Sequence, residues 1–94
     1  MVLSPSSRPK LASKARLRWD KREEKYFLLY PERGLLLNAT AAHIVQLCTG
    51  EHTVDGIVGQ LLAKYPGQAR EEIEREVWGF LDQIQSRGLL EAEG

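Results

Sequence analysis

Three side chains in this sequence are of the types that bind soft metal ions: His43, Cys48 and His52. A zinc site needs three or four protein ligands at a recognisable spacing. His43 and Cys48 are five residues apart, which separates them by about 140° on a helix of 3.6 residues per turn. Cys48 also continues an apolar helical pattern, which is typical of a core position. The spacing therefore predicts no metal site.

The hydroxyl side chains give no better case for catalysis. Four serines precede residue 15, in a segment rich in Ser, Pro and Lys where no geometry between a nucleophile and a base could be held. No glycine-rich loop of the phosphate-binding patterns is present. We therefore expect a chain that is not an enzyme by itself and that needs no cofactor.

Length and composition limit the class of protein. The 94 residues suffice for one small domain, and 43% apolar with 28% charged residues is ordinary for a globular protein. No run approaches the roughly 18 apolar residues of a membrane-spanning helix, and no signal-peptide core precedes Ala15. One cysteine fits a reducing compartment. These features predict a cytoplasmic protein without a membrane partner.

Charge is unevenly distributed although the net charge is zero. Residues 1–26 hold eight of the thirteen Lys and Arg side chains but only three of the thirteen acidic ones. A basic head and an acidic body would suit an acidic partner, and a solvated tail explains the same pattern. Residues 1–14 contain few large apolar groups, so we expect a flexible leader there, with the domain in residues 15–94.

The hydrophobic pattern changes from strands to helices near Asn38. Three short segments are typical of strands: ARLRW, half-buried with Ala15, Leu17 and Trp19 on one face, then KYFLLYP and LLLN. Asn38 or Thr40, and later Thr53, are typical caps of helices. The predicted buried stripes of the three helices are Ala41, Ile44, Val45, Cys48; Val54, Ile57, Val58, Leu61, Leu62, Tyr65; and Ile73, Val77, Phe80, Leu81, Ile84.

This order, β-β-β-α-α-α, predicts an α+β domain that is winged-helix-like, with a three-stranded antiparallel sheet followed by a three-helix bundle. Gly88 is expected to end the third helix, and LLEAE after it forms a tail or a short strand. A winged-helix nucleic-acid-binding regulator is one alternative. The third helix opposes it, because three arginines face five acidic residues between Arg70 and Gly88.

Binding of a peptide is the other hypothesis. An edge strand offers unpaired N–H and C=O groups, and RGLLLN is a plausible acceptor for an added strand. Trp78 lies one position off the buried stripe, where Leu81 and Gln85 would line a groove beside it. Trp78 as a cap on the core explains its position equally well. Free edges also permit strand exchange between two copies, which leaves a homodimer open.

The segment LLYPERGLLLNATAAHIVQLCTGEHTVDGIVGQL resembles the core of the PqqD family of pyrroloquinoline quinone biosynthesis. The shared pattern is a strand ending in Pro-Glu-x-Gly, aliphatics with Leu-Asn, Ile-x-x-Leu-Cys-x-Gly and Thr-Val-x-x-Ile-Val. Downstream, EVWGFLDQIQSRGLL is similar to the family's last helix. The resemblance covers residues 17–90.

The resemblance implies a peptide chaperone. Such domains bind the precursor peptide PqqA as an added strand and present it to PqqE, a radical S-adenosylmethionine enzyme. Carried over to this sequence, the resemblance assigns peptide binding to one strand and one helix. The implied residues are Arg33, Gly34, Leu35, Leu36 and Leu37 on the strand, and Val77, Trp78, Leu81 and Ile84 on the helix.

Overall fold

The computed structural model describes residues 3–31 and 33–93, with the side chains of 92 and 93 left aside. Strands and helices follow one another as the sequence predicts, with one further strand at each end. In chain order they are β1 (Arg8–Leu11), β2 (Arg16–Asp20), β3 (Lys25–Tyr30), β4 (Arg33–Leu37), α1 (Ala39–Leu47), α2 (Val54–Lys64), α3 (Arg70–Ser86) and β5 (Leu90–Glu93). The predicted α+β class, with three antiparallel strands before three helices, is confirmed.

The three central strands form an antiparallel sheet in the order β2-β3-β4. The charged turn between β2 and β3 is held by Asp20, whose Oδ1 accepts hydrogen bonds from the N–H groups of Arg22 at 2.8 Å and Glu23 at 3.2 Å. Glu24 closes this turn with a φ of 53°, in the left-handed region. The turn fixes the register that puts Trp19 opposite Tyr26.

Side-chain caps begin the first two helices. The Asn38 side chain accepts a hydrogen bond from the N–H of Ala41 at 2.8 Å, and the Thr53 hydroxyl accepts one from Gly56 at 2.9 Å. Each bond satisfies an N–H group that the first helical turn leaves without an internal partner. Of the two caps that the sequence allowed for α1, Asn38 is therefore the one used.

Gly88 ends α3 as predicted. Its φ is 72°, and its N–H donates to the carbonyl of Gln85 at 2.9 Å while the next N–H, of Leu89, reaches back to Ile84 at 3.0 Å. These two hydrogen bonds, together with a glycine in the left-handed conformation, form the Schellman motif. Leu89 and Ile84 are both fully buried, so the motif also turns the chain inward and leads directly into β5.

One hydrophobic core lies between the sheet and the helices. α1 contacts all three strands of the sheet, and α2 and α3 pack behind it. The predicted stripes supply nearly all of its buried helical residues; Leu62, Tyr65 and Phe80 are half-buried at its border. Within the described residues, no helix has the length and hydropathy needed to cross a bilayer.

The expected flexible leader is not what the structure has in residues 3–14. β1 pairs antiparallel with β5, with Arg8 opposite Glu93 and Leu11 opposite Leu90. Pro9 is completely buried, and its carbonyl accepts a hydrogen bond from Gly50 at 3.0 Å. The sequence pattern does not reveal this strand because four residues with one buried side chain carry almost no local signal. The partner that forms the strand is some eighty residues away.

Candidate functional site

β4 is an edge of the three-stranded sheet, since it pairs with β3 on one side and ends the strand order. Tyr30 pairs with Arg33, and Pro31, between them, has no N–H to donate. Tyr30 and Arg33 must therefore exchange their own backbone hydrogen bonds. Along an antiparallel strand, the N–H and C=O groups of successive residues point alternately toward and away from the neighbouring strand. The N–H and C=O groups of Gly34 and Leu36 consequently point away from β3.

Gly34 and Leu36 are also exposed to solvent. Leu36 is 51% exposed and Gly34 is exposed. A Cβ at Gly34 would come within 3.0 Å of the Leu29 side chain, so a larger residue would push against the neighbouring strand. A large apolar side chain left exposed beside free main-chain groups is the arrangement that strand addition uses.

α3 approaches the two ends of β4, in the opposite chain direction. The Arg87 guanidinium donates to the Tyr30 hydroxyl at 3.4 Å, next to the hairpin that joins β3 and β4. Near the other end of β4, α1 and α3 enclose a hollow of about 310 Å³ that reaches Asn38. On α3, its lining includes Glu76, Gly79 and Phe80. We call this space the α3 groove.

The separation of these two points along α3 matches the length of β4. From Glu76 to Arg87 the helix rises about 16 Å, at 1.5 Å per residue. From Arg33 to Asn38 an extended chain covers about 16 Å, at 3.3 Å per residue. An extended guest of five or six residues on β4 would therefore reach from the Arg87–Tyr30 contact to the α3 groove.

Four of the nine implied residues are buried in the core of the free domain. Leu37 is almost fully buried, and Val77, Leu81 and Ile84 have no exposed surface. Their helical spacing puts them on the stripe that faces the core, where they pack with the sheet and α1. The remaining implied residues on the strand, which are Arg33, Gly34, Leu35 and Leu36, are exposed or half-buried.

Trp78 lies on the flank of α3 that faces away from the groove. At 100° per residue, Trp78 is about 100° to one side of the buried Val77, whereas Phe80 is about 60° and Arg87 about 80° to the other side. Phe80 lines the α3 groove and Arg87 touches Tyr30. Trp78 is half-buried against the core. Of its two open roles, the geometry therefore favours that of a cap on the core.

The groove residues of α3 are ones that the sequence did not single out for binding. Gly79 has nothing within 4 Å of where a Cβ would stand, so the helix backbone is open to the groove there. Gln83 continues the lining one turn later. The sequence signal for this side of α3 is Gly79, a glycine inside an otherwise strong helical pattern. Such a glycine lowers helix stability and leaves room beside the backbone.

The remaining titratable groups of interest lie away from this groove. Burial raises the pKa of the Cys48 thiol to about 12, so it stays protonated and inert. The Nδ1 of His43 lies 2.6 Å from the Tyr65 hydroxyl. Desolvation, and secondly Lys64, lower the pKa of His43 below its ordinary value of 6.5. Residues 3–31 and 33–93 bring together no three His, Cys, Asp or Glu side chains in a metal-binding group.

Comparison with known proteins gives a consistent result. The family described as coenzyme PQQ synthesis protein D (PqqD) matches residues 25–90. A PqqA binding protein of Rhodopseudomonas palustris strain BisB5 is 37% identical over 90 residues, covering 96% of this chain and 87% of the relative. One from Methylococcus capsulatus is 38% identical over 77 residues, covering 82% and 83%.

A solved structure also matches in fold. It is the solution structure of the PqqD part of Methylobacterium extorquens PqqCD, described as a stand-alone recognition element for ribosomally synthesized and post-translationally modified peptides. The TM-score is 0.80 at 31% identity, and 96% of this chain and 95% of that one are covered. With the family match over most of the described elements, these likenesses show that the chain belongs to the PqqD family.

Proposed function

We propose that this chain binds the precursor peptide PqqA by strand addition and presents it to the radical S-adenosylmethionine enzyme PqqE. The observation that carries the proposal is the position of β4 at the sheet edge, with the main-chain groups of Gly34 and Leu36 turned outward. The relatives that are named PqqA binding proteins support the choice of guest.

The guest strand runs antiparallel to β4. The host sheet is antiparallel throughout, and such sheets extend most readily by another antiparallel strand. The N-terminal part of the guest then lies near Leu37 and its C-terminal part near Arg33. Main-chain bonds to Gly34 and Leu36 supply affinity, while Phe80 and Gln83 along the α3 groove select side chains.

The chain acts by tethering and not by catalysis. A peptide held on the domain meets an enzyme bound to the same domain at an effective concentration that reaches roughly millimolar. No reactive group is needed for that role, and the inert thiol of Cys48 agrees with it. Because the guest is made by ribosomes, we place the encounter in the cytoplasm.

Titration of the ¹⁵N-labelled domain with synthetic PqqA tests the proposal. The amides of Gly34 and Leu36 are expected to shift and to become protected from hydrogen exchange, since they gain acceptors. The Leu35 amide serves as an internal control, because it already bonds to β3 in the free domain. Shifts confined to β2 or to the flank of α3 that bears Trp78 would refute strand addition at β4.

Nucleic-acid binding is less well supported. The exposed side chains of α3 include Glu71, Glu72, Glu76 and Asp82, which would repel a phosphate backbone. A mobility-shift assay at low and at physiological salt separates the two functions. Binding of duplex DNA that weakens steeply with salt, without saturable peptide binding, would favour the regulator.

A further inference from the structure

One row of side chains crosses the helix-facing side of the sheet at the end far from the β3–β4 hairpin. The register places Trp19 beside Tyr26, and Tyr26 beside Leu37. Leu37 is buried, Tyr26 is half-buried and Trp19 is 47% exposed. Burial therefore decreases from Leu37 to Trp19, which lies on the edge strand β2. Trp19 lies on the face that the alternation of ARLRW predicts, together with the half-buried Leu17, but Trp19 itself is exposed.

Trp19, Tyr26 and Leu37 line a hollow of about 640 Å³, which we call the Trp19 hollow. Its volume is in the range of pockets that enclose a ligand, and it is larger than the α3 groove. The Trp19 and Tyr26 rings meet edge to face, with centroids 4.9 Å apart and an interplanar angle of 63°. The α1 side is lined by Ala39, Ala42 and His43.

The hollow adjoins the β4 edge. Asn38 lines both the Trp19 hollow and the α3 groove, on opposite sides of the start of α1. A guest strand antiparallel to β4 brings its N-terminal end to this point. From there, Tyr26 on β3 is about two strand spacings away, near 10 Å. An extended chain covers that distance in about three residues.

We propose that the Trp19 hollow receives an aromatic side chain from the N-terminal flank of the peptide that pairs with β4. This inference rests on the proposed function and adds a second, separate anchor to it. A flat ring fits because the lining combines two small alanines of α1 with the rings of Trp19 and Tyr26. Edge-to-face and offset contacts with Trp19 and Tyr26 favour such a ring over an aliphatic group of equal area.

A double-mutant cycle measured by calorimetry tests the inference. Each aromatic residue of synthetic PqqA is replaced by Leu, and each peptide is titrated into the wild-type domain and into Trp19→Ala. For one aromatic residue, located about three positions before the paired strand, we expect a loss of about tenfold in affinity that is not repeated in the Trp19→Ala domain. Coupling of that kind assigns the ring to the hollow.

Two further variants separate contact from folding. Ala39→Leu fills the rim of the hollow without removing a contact and is expected to weaken the same peptide by a similar factor. Arg18→Ala, on the opposite face of β2, is the control and should leave affinity unchanged.

A peptide trimmed of its N-terminal flank separates this inference from the proposed function. The trimmed peptide is expected to bind the wild-type and Trp19→Ala domains with equal affinity. The amides of Gly34 and Leu36 should still become protected from hydrogen exchange. If the double-mutant cycle with the full peptide shows no coupling to Trp19 while the β4 amides are still protected from exchange, the aromatic anchor is wrong. Strand addition at β4 would then remain supported. If β4 is not protected at all, strand addition is wrong.

Discussion

The guanidinium of Arg87 donates to the hydroxyl of Tyr30 at 3.4 Å, across 57 positions of sequence. Tyr30 is the last residue of β3, and Arg87 immediately follows α3. The contact joins the end of the helix to the hairpin end of the sheet. It lies at the end of β4 opposite the α3 groove, where the C-terminal part of a guest strand would leave.

Proline at position 36 is the most direct test of the free edge. Leu36→Pro removes an outward N–H and no bond to β3, so the domain should fold and lose at least about tenfold in PqqA affinity. Leu35→Pro is the matched comparison, because it deletes an inward donor and should lower the free energy of unfolding. Calorimetry and urea titration measure the two effects. Unchanged affinity in folded Leu36→Pro contradicts strand addition.

The two open glycines of the helices form a matched pair. Neither Gly59 in α2 nor Gly79 in α3 has any atom within 4 Å of the place that a Cβ would occupy. Replacement by Gln should stabilise each helix by about 0.5–1 kcal/mol. Only Gly79→Gln places its side chain in the α3 groove, so only this variant should weaken peptide binding. Equal affinities in both variants would remove the groove from the site.

Trp78 and Phe80 provide a comparison between the two flanks of α3. Trp78→Ala should cost about 2 kcal/mol of stability, because the half-buried indole packs on the core, and should leave peptide affinity unchanged. Phe80→Ala removes apolar area from the α3 groove and should reduce affinity several-fold. Thermal melts and calorimetry on both variants check the assignment. A loss of affinity confined to Trp78→Ala would reverse it.

The lowered pKa of His43 predicts that acid weakens the fold. The folded state holds this proton less tightly than the unfolded chain, whose histidine titrates near 6.5. The unfolded state therefore binds more protons as pH falls from 7.5 through 6.5, and the free energy of unfolding decreases. His43→Gln should show a shallower decrease in urea titrations between pH 7.5 and 5.5. Parallel curves for the two proteins would contradict the assignment.

Deletion of residues 1–11 tests the terminal sheet. The segment buries Pro9, and its carbonyls at Pro5 and Ser7 accept hydrogen bonds from the first turn of α2, at 3.0 and 2.9 Å. Its loss should lower the free energy of unfolding by several kcal/mol, since a buried side chain and several hydrogen bonds disappear together. A solvated leader would leave the urea midpoint unchanged.

Sequence was a good guide wherever the cause of structure was local. The Asn38 and Thr53 caps follow from side chains that reach N–H groups within their own turn. The stripe from Ile73 to Ile84 follows from a strong helical period over seventeen residues. Gly88 follows from the left-handed conformation that it adopts at low cost.

Long-range relationships set the limit of that guide. β1 depends on β5, and neither has a pattern of its own. The periodicity of α3 identified its buried side, but it did not tell which flank would meet β4. Trp78 and Phe80 look alike as apolar residues beside the stripe, and only the placement of Asn38 and Tyr30 against the helix distinguishes them.

The antiparallel pairing of β1 with β5 has a consequence for how this domain can be joined to other polypeptides. Arg8 stands opposite Glu93, so the start of β1 and the end of β5 lie side by side, about 5 Å apart. A polypeptide that continues after β5 would therefore leave beside the start of β1, in the two-stranded sheet and not in the sheet whose edge is β4.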